Sequence, residues 1–275
     1  MRSLARRFGP VLVLALALPT GREAAWGQPA PASPDVKVET RAIPDRDVKQ
    51  VRAQGVIAAP PHVVRAVIAD LERYPAFMPY VKESRVLPAD APGDVLNYQR
   101  LSFGIPFVQD RHYLIRITEQ RARDSEGRVA YALTWRLEAG LPPGVKPDAA
   151  VRVSVNNGYW DLRPVKDQSA ATDVRYCVFT DPAGSLPKWV VGLANDQAVP
   201  QLYAAVAAQA ATPRYATLPA AGDGATAEPL SLADCADTTP PAREPDPRRP
   251  RATASHATAS AGRGSPPPGR RRCAR

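Results

Sequence analysis

Arg111, Tyr113 and Tyr98 are the side chains of this sequence whose type and placement could polarise a carbonyl, with an arginine or a phenol donating to a developing negative charge. Other catalytic constellations are missing. The three histidines are His62 at a helix start among prolines, His112 on the outward parity of a strand, and His256 in a basic tail, so no Ser-His-Asp or Cys-His set can be assembled. The sequence has no Gly-rich phosphate loop, no His-Glu-x-x-His and no paired cysteine motif, and its strand carboxylates Asp110, Glu119 and Glu138 are not paired at an inner parity. Cys177, Cys235 and Cys273 are an odd, sparse set that is no disulfide framework and offers no zinc spacing. A Cys177–Cys235 bridge can form in an oxidising compartment; otherwise Cys177 is a half-buried strand thiol beside two tail thiols. This pattern favours binding over catalysis, leaving open an enzyme that works through one or two pocket tyrosines or an arginine.

Alternation shows which strand faces are buried. Over 109–119 the odd positions Arg111, Tyr113, Ile115 and Ile117 form the inner set, and over 129–137 the inner set is Val129, Tyr131, Leu133, Trp135 and Leu137. Arg111 breaks the apolar pattern. A charge at that parity must pair, sit at the rim with its head in water, or meet a ligand's polar group, because an unpaired buried ion costs several kcal/mol.

The elements that position these residues follow in order. Asp47 to Ala58 reads as a strand. Val63, Val64, Val67, Ile68 and Leu71 give a helical stripe, and a short turn carries Phe77, Met78 and Tyr80. Six strand candidates come next: 81–87, 95–103, 109–120, 129–138, 150–164 and 172–180. Turn signals such as Ala91-Pro-Gly93 and Ser125-Glu-Gly127 separate them, so short loops imply an antiparallel meander. The last element is a long amphipathic helix from Ser185, a candidate cap, to Gln209. Leu186, Trp189, Val190, Leu193, Leu202 and Val206 form its apolar stripe, Lys188 faces solvent and Pro200 is a candidate kink. The layout is α+β, one curved sheet around the final helix.

Charge and composition mark the flanks. Of the formal +9, residues 1–27 hold +3 and residues 212–275 hold +4, so the near-neutral middle has no electrostatic footprint for nucleic acid, and no nucleic-acid partner is expected. Residues 1–27 have the parts of a secretory signal: Arg2, Arg6 and Arg7, the apolar run Val11 to Leu18, and Ala25-Trp-Gly27 before a cleavage point at Gln28. That run is well short of the roughly 20 residues of a membrane span. The mature protein is therefore expected in a bacterial periplasm or outside the cell. Residues 28–45 read as a linker, and 212–275, rich in Pro, Ala, Arg, Thr and Ser, as a disordered tail with too little apolar surface to offset its ordering entropy.

The helical stretch from Ala59-Pro-Pro-His to Tyr80-Val-Lys, the strand Gln109-Asp-Arg-His-Tyr-Leu-Ile-Arg116, the turn Asn157-Gly-Tyr-Trp160 and the closing Asp181-Pro-Ala-Gly-Ser-Leu-Pro-Lys-Trp189 resemble START-type domains over about residues 46–211. These belong to the superfamily that includes polyketide cyclases and steroid or phospholipid carriers. The resemblance implies a helix-grip fold, a curved antiparallel sheet wrapped around a long C-terminal helix with an internal apolar cavity. It implies ligand contacts from Arg111, Tyr113, Ile115, Tyr98, Leu133, Trp135, Trp160, Trp189 and Leu193. Phe103, Ile105 and Phe107 would form one entrance loop, with Pro106 beside them, and Leu141 and Val145 a flap. The expected partner is an apolar small molecule or lipid, held by a monomer that makes transient membrane contact through these loops, with no cofactor and no metal. The alternatives are a cyclase or dehydrase acting on a polyketide-like or steroid-like substrate, and an envelope interaction protein whose cavity is filled by its own side chains.

Overall fold

The computed structural model describes residues 33–43, 49–146, 150–184, 197–220, 226, 229–230, 232 and 234–235. The described residues form nine strands: β1 Val36–Ala42, β2 Lys49–Ile57, β3 Val81–Leu87, β4 Asp94–Leu101, β5 Arg111–Arg123, β6 Val129–Leu137, β7 Val151–Arg152, β8 Val155–Val165 and β9 Gln168–Asp181. They make one sheet in the order β1-β2-β9-β8-β6-β5-β4-β3, antiparallel throughout except for β7, a short parallel addition to β5. The helices are α1 Pro61–Ala69, α2 Tyr74–Phe77, α3 Val199–Ala210 and α4 Pro213–Ala216. This is the curved, helix-gripping α+β fold expected from the order of elements.

Register assigns every side chain to a face. Gln99 pairs with Tyr113, Val95 with Ile117, Trp135 with Ile117, Trp160 with Leu133, and Val178 with Val51, so these residues share the concave face. α1 begins with Pro61, where the missing N–H costs nothing, and packs Val63, Val64, Val67 and Ile68 into the core, each no more than 2 % exposed. Burial of side chains of this size contributes about 1.5–3 kcal/mol each, so a charge at Val67 would break the helix–sheet contact. α3 is fixed by Tyr203, whose hydroxyl donates to the carbonyls of Ala53 on β2 (3.2 Å) and Val174 on β9 (3.0 Å). Its ring stacks near Trp160, which lies 4.6 Å from Tyr176 between centroids.

Two boundaries differ from the sequence reading. Residues 36–42, expected as linker, form edge strand β1; Val36 and Val38 alternate with Lys37, Glu39 and Arg41, a half-buried strand pattern that the charges obscured. The segment after 211, expected to be disordered, contributes α4, with buried Tyr215 donating to Asp70 (2.8 Å), and a disulfide between Cys235 and Cys177. That bridge joins positions 58 apart and contributes about 2–4 kcal/mol by restricting the unfolded chain. Pro200 lies in the first turn of α3, directly after a π turn at residues 197–198; the residues before that turn lie outside the described ones. The expected start of the helix at Ser185, with Trp189, Leu193 and Lys188, lies outside the described residues, as do residues 1–32 and 236–275.

Candidate functional site

Between the concave face, α1, α2 and α3 lies a cavity of about 1150 Å³. That slightly exceeds the usual range for small-molecule sites, roughly 300–1,000 Å³. Its body is apolar: Val51, Ile68, Leu71, Met78, Ile115, Ile117, Leu133, Trp135, Trp160, Tyr176, Val178, Val199 and Leu202 all line it. The polar groups gather mainly at its two ends.

At one end stand Arg111, Gln99, Tyr113, Asn156 and Thr180. Arg111 opens β5 on the inner parity and is 2 % exposed, yet it makes no ion pair among the described residues. Its guanidinium donates to three neutral carbonyls, those of Gln109 (2.6 Å), Pro182 (3.0 Å) and Ala183 (3.3 Å). Burial lowers its pKa from the ordinary arginine value, but that value is so high that the group stays charged at neutral pH. Carbonyl dipoles hold the donors, and among the described residues no carboxylate pairs with the charge. Beside it, the Tyr113 hydroxyl donates to Gln99 Oε1 (2.7 Å), and Gln99 Nε2 donates to Asn97 Oδ1 (2.6 Å). Asn156 Oδ1 accepts from Trp135 Nε1 (3.0 Å) and from the Thr180 hydroxyl (3.4 Å). Burial pushes the Tyr113 phenol well above its usual value, so it remains a proton-bearing donor.

This end depends on one glycine. Gly158 on β8 leaves room for the Trp135 indole; a Cβ there would overlap that ring and the Cys177 carbonyl oxygen. Its absence lets Trp135 lie flat against the sheet and reach Asn156.

The opposite end is a mouth lined by Arg65, Glu119 and Arg121. Here a carboxylate stands between two guanidiniums: Glu119 accepts from Arg65 (2.5 and 2.8 Å) and from Arg121 (2.6 Å). Thr226, Pro229 and Leu230 also border the cavity.

Arg111, Tyr113, Ile115, Leu133, Trp135, Trp160 and Phe103 thus line one space. Tyr98 does not. It pairs with Leu114, on the convex face, where its hydroxyl lies 3.3 Å from His112 Nδ1 and the Arg85 guanidinium covers its ring. β4 carries Val95, Asn97, Gln99 and Leu101 on one face and Leu96, Tyr98 and Arg100 on the other; choosing the aromatic residue as the inward one misassigned the strand by one position. His112, expected to face outward, is on the convex face but fully buried, and burial together with Arg152 and Arg100 lowers its pKa. Ile105, Phe107, Leu141 and Val145 do not line the cavity, and Phe107 is fully exposed. Trp189 and Leu193 lie outside the described residues. Sequence reasoning missed Gln99, Asn156, Thr180, Tyr176 and Val178. The alternation of Tyr176 and Val178 with Arg175 and Cys177 carried a signal for β9, whereas the polar Gln99 and Asn156 carried none.

A model of the family described as "Polyketide cyclase / dehydrase and lipid transport" matches residues 57–207, more than half of the chain. No curated protein matches the chain. Among solved structures, human StAR-related lipid transfer protein 5 is similar at 14% identity and a TM-score of 0.52, covering 66% of this chain and 87% of that one. A STAR-related lipid transfer protein fragment from Xanthomonas axonopodis is similar at 24% identity and 0.49, covering 63% and 90%. The Zhui aromatase/cyclase from Streptomyces sp. R1128 is similar at 17% and 0.40, covering 58% and 92%. At these identities the likeness is one of fold. With the family match spanning the sheet from the end of β2 to within α3, the chain belongs to the polyketide cyclase/dehydrase and lipid transport family, of START-type helix-grip domains.

Proposed function

We infer that this protein binds, and carries, an amphipathic small molecule with a lipid-like or ring-like apolar body and an anionic or strongly polar end. One observation carries this reading: a large apolar cavity ends at a buried arginine whose donors are held by carbonyls and whose charge has no carboxylate partner among the described residues. The body would enter by desolvation, each buried methylene contributing about 0.8 kcal/mol. The head would meet the Arg111 guanidinium, with Tyr113, Gln99 and Asn156 as further hydrogen-bonding partners. Site roles for Ile115, Leu133, Trp135 and Trp160 belong to this reading, as contacts for the apolar body.

The signal-like first 27 residues and the Cys177–Cys235 disulfide support an exported protein, in a bacterial periplasm or outside the cell, since disulfides persist in oxidising compartments. Exposed Phe107, with Ile105 and Pro106 on the same loop, supports transient contact of a monomer with a membrane surface.

A second reading is favoured by a separate observation. Tyr113 is buried, protonated and beside Arg111, the arrangement a cyclase or dehydrase would use to polarise a substrate carbonyl. The third expectation, a cavity filled by the protein's own side chains, has less support: Trp135, Trp160 and Tyr176 line the space as walls. Mass spectrometry of small molecules extracted from protein purified from its native host tests the carrier reading. A stoichiometric amphiphile is expected. An empty cavity, combined with no change in melting temperature across a lipid panel, would sink it.

A further inference from the structure

The chain after α4 lies beyond the family match, yet it is tied to the sheet at several points. His62 Nε2 lies 3.1 Å from the Leu218 carbonyl, and Tyr215 and Arg214 hold Asp70, so the segment leaves from beside α1. Thr226 then pairs with β5 where β4 no longer covers its edge. Its N–H donates to the Arg121 carbonyl (3.1 Å) and its carbonyl accepts from the Arg123 N–H (2.9 Å).

Pro229 and Leu230 border the cavity at the mouth that also carries Arg65, Glu119 and Arg121. A few residues on, the chain has reached the convex face. The Asp234 carboxylate accepts from Arg41 and Arg52 (3.3 Å each) and from Gln50, and buried Cys235 is bonded to Cys177. Cys177, Phe179 and Cys235 form a small apolar cluster there, with Ile43, Val155 and Tyr159 packed against it. Thr226 is thus held on β5, Asp234 and Cys235 on β2 and β9, and Pro229 and Leu230, between them in sequence, border the cavity.

We propose that Thr226, Pro229 and Leu230 are a clamp on this mouth of the cavity, held shut by the Cys177–Cys235 disulfide, and that Leu230 is a wall residue of the ligand site. The clamp rests on the binding reading above for its purpose, but its geometry stands apart from it. Thr226 has two backbone hydrogen bonds to β5 and one bond from its side chain, an anchorage too small to resist local opening by itself. The disulfide supplies the second, covalent anchorage. Because both cysteines are buried, it stays closed while the protein is folded in an oxidising compartment. A ligand would therefore leave through this mouth slowly.

The test compares full-length oxidised protein with the Cys177→Ser/Cys235→Ser double variant and with Leu230→Asp. The last keeps the disulfide but sets a carboxylate in the mouth that holds Glu119. Dansyl-labelled undecanoic acid is bound and then displaced by excess oleate in a stopped-flow instrument. Acrylamide quenching of the tryptophans is measured on the same samples without ligand, because Trp135 and Trp160 line the cavity. Both variants should release the probe about tenfold faster, since a wall residue acts mainly on dissociation, and both should be quenched more strongly. Unchanged release and unchanged quenching in both variants would overturn the clamp, even if their melting temperatures fall. Failure of the parent protein to bind the probe, with quenching still raised in the variants, would keep the clamp and remove the binding reading.

Discussion

At one end of the cavity Arg111 gives its donors to three neutral carbonyls, and at the other Arg65 and Arg121 share the carboxylate of Glu119. The same residue type, near the two ends of β5 and on α1, stands in different settings. In the Glu119 cluster both arginines have a carboxylate partner, and the one charge left over is closer to solvent, where water and salt screen it. Arg111 is buried and has no carboxylate partner among the described residues, so on the proposed reading its favourable partner is an anion brought from outside. Burying an arginine without a counterion costs stability. On the proposed binding reading, an anionic ligand head would recover that cost.

The largest effect expected is on the packing that supports the Arg111 end. Gly158→Ala places a methyl group into the Trp135 indole and the Cys177 carbonyl, and should destabilise the protein by about 3 kcal/mol in urea unfolding, near the upper range for overpacking. A loss below 1 kcal/mol would mean that Trp135 is free to move, and that the polar end is less rigid than its hydrogen bonds imply.

A middle-sized effect comes from pH. Tyr113 and Tyr176 are buried with phenols pushed well above the ordinary 10.0, by desolvation first. Their raised folded-state values mean that this stability is complete below pH 10. Above it the unfolded chain deprotonates first, and stability falls by about 1.4 kcal/mol per pH unit for each such tyrosine until the folded value is reached. Unfolding free energy followed from pH 9 to pH 11.5 should therefore bend downward near pH 10, with tyrosinate absorbance rising together with unfolding. Tyrosinate appearing in the still-folded protein at pH 10 would show the cavity wall to be wet.

The smallest effect belongs to the mouth. Glu119→Gln should change stability by about 1 kcal/mol or less, because a partly exposed ion pair in water gains little. A larger loss would make the mouth a structural keystone and erase the contrast between the two ends.

Much of the scaffold was legible because it rests on periodicity. The odd positions of β5 and β6, the stripe of α1 and the turn signals gave the strand order, the concave face and the place of Arg111, Tyr113, Leu133 and Trp135. What was not legible depended on register and on contacts distant in sequence. Tyr98 and Gln99 are neighbours of nearly equal claim to the inner face, and only the pairing of β4 with β5 decides between them. Asn156 becomes a site residue because Gly158 admits an indole from another strand. β1 hid behind its charges, and the anchored segment around Thr226 and Cys235 lay in a region whose composition otherwise reads as unstructured. A single disulfide and a few backbone hydrogen bonds do not show in composition.

The central claim, an apolar body bound with its polar end at Arg111, is tested most directly by calorimetric titration with palmitate and with hexadecanol, which differ in the head alone. Palmitate should bind at least tenfold more tightly, the size expected of a charge-assisted hydrogen bond. That advantage should vanish in Arg111→Met and survive in Arg121→Met. Equal binding of the two by the unaltered protein, or an advantage that persists without Arg111, would contradict the account.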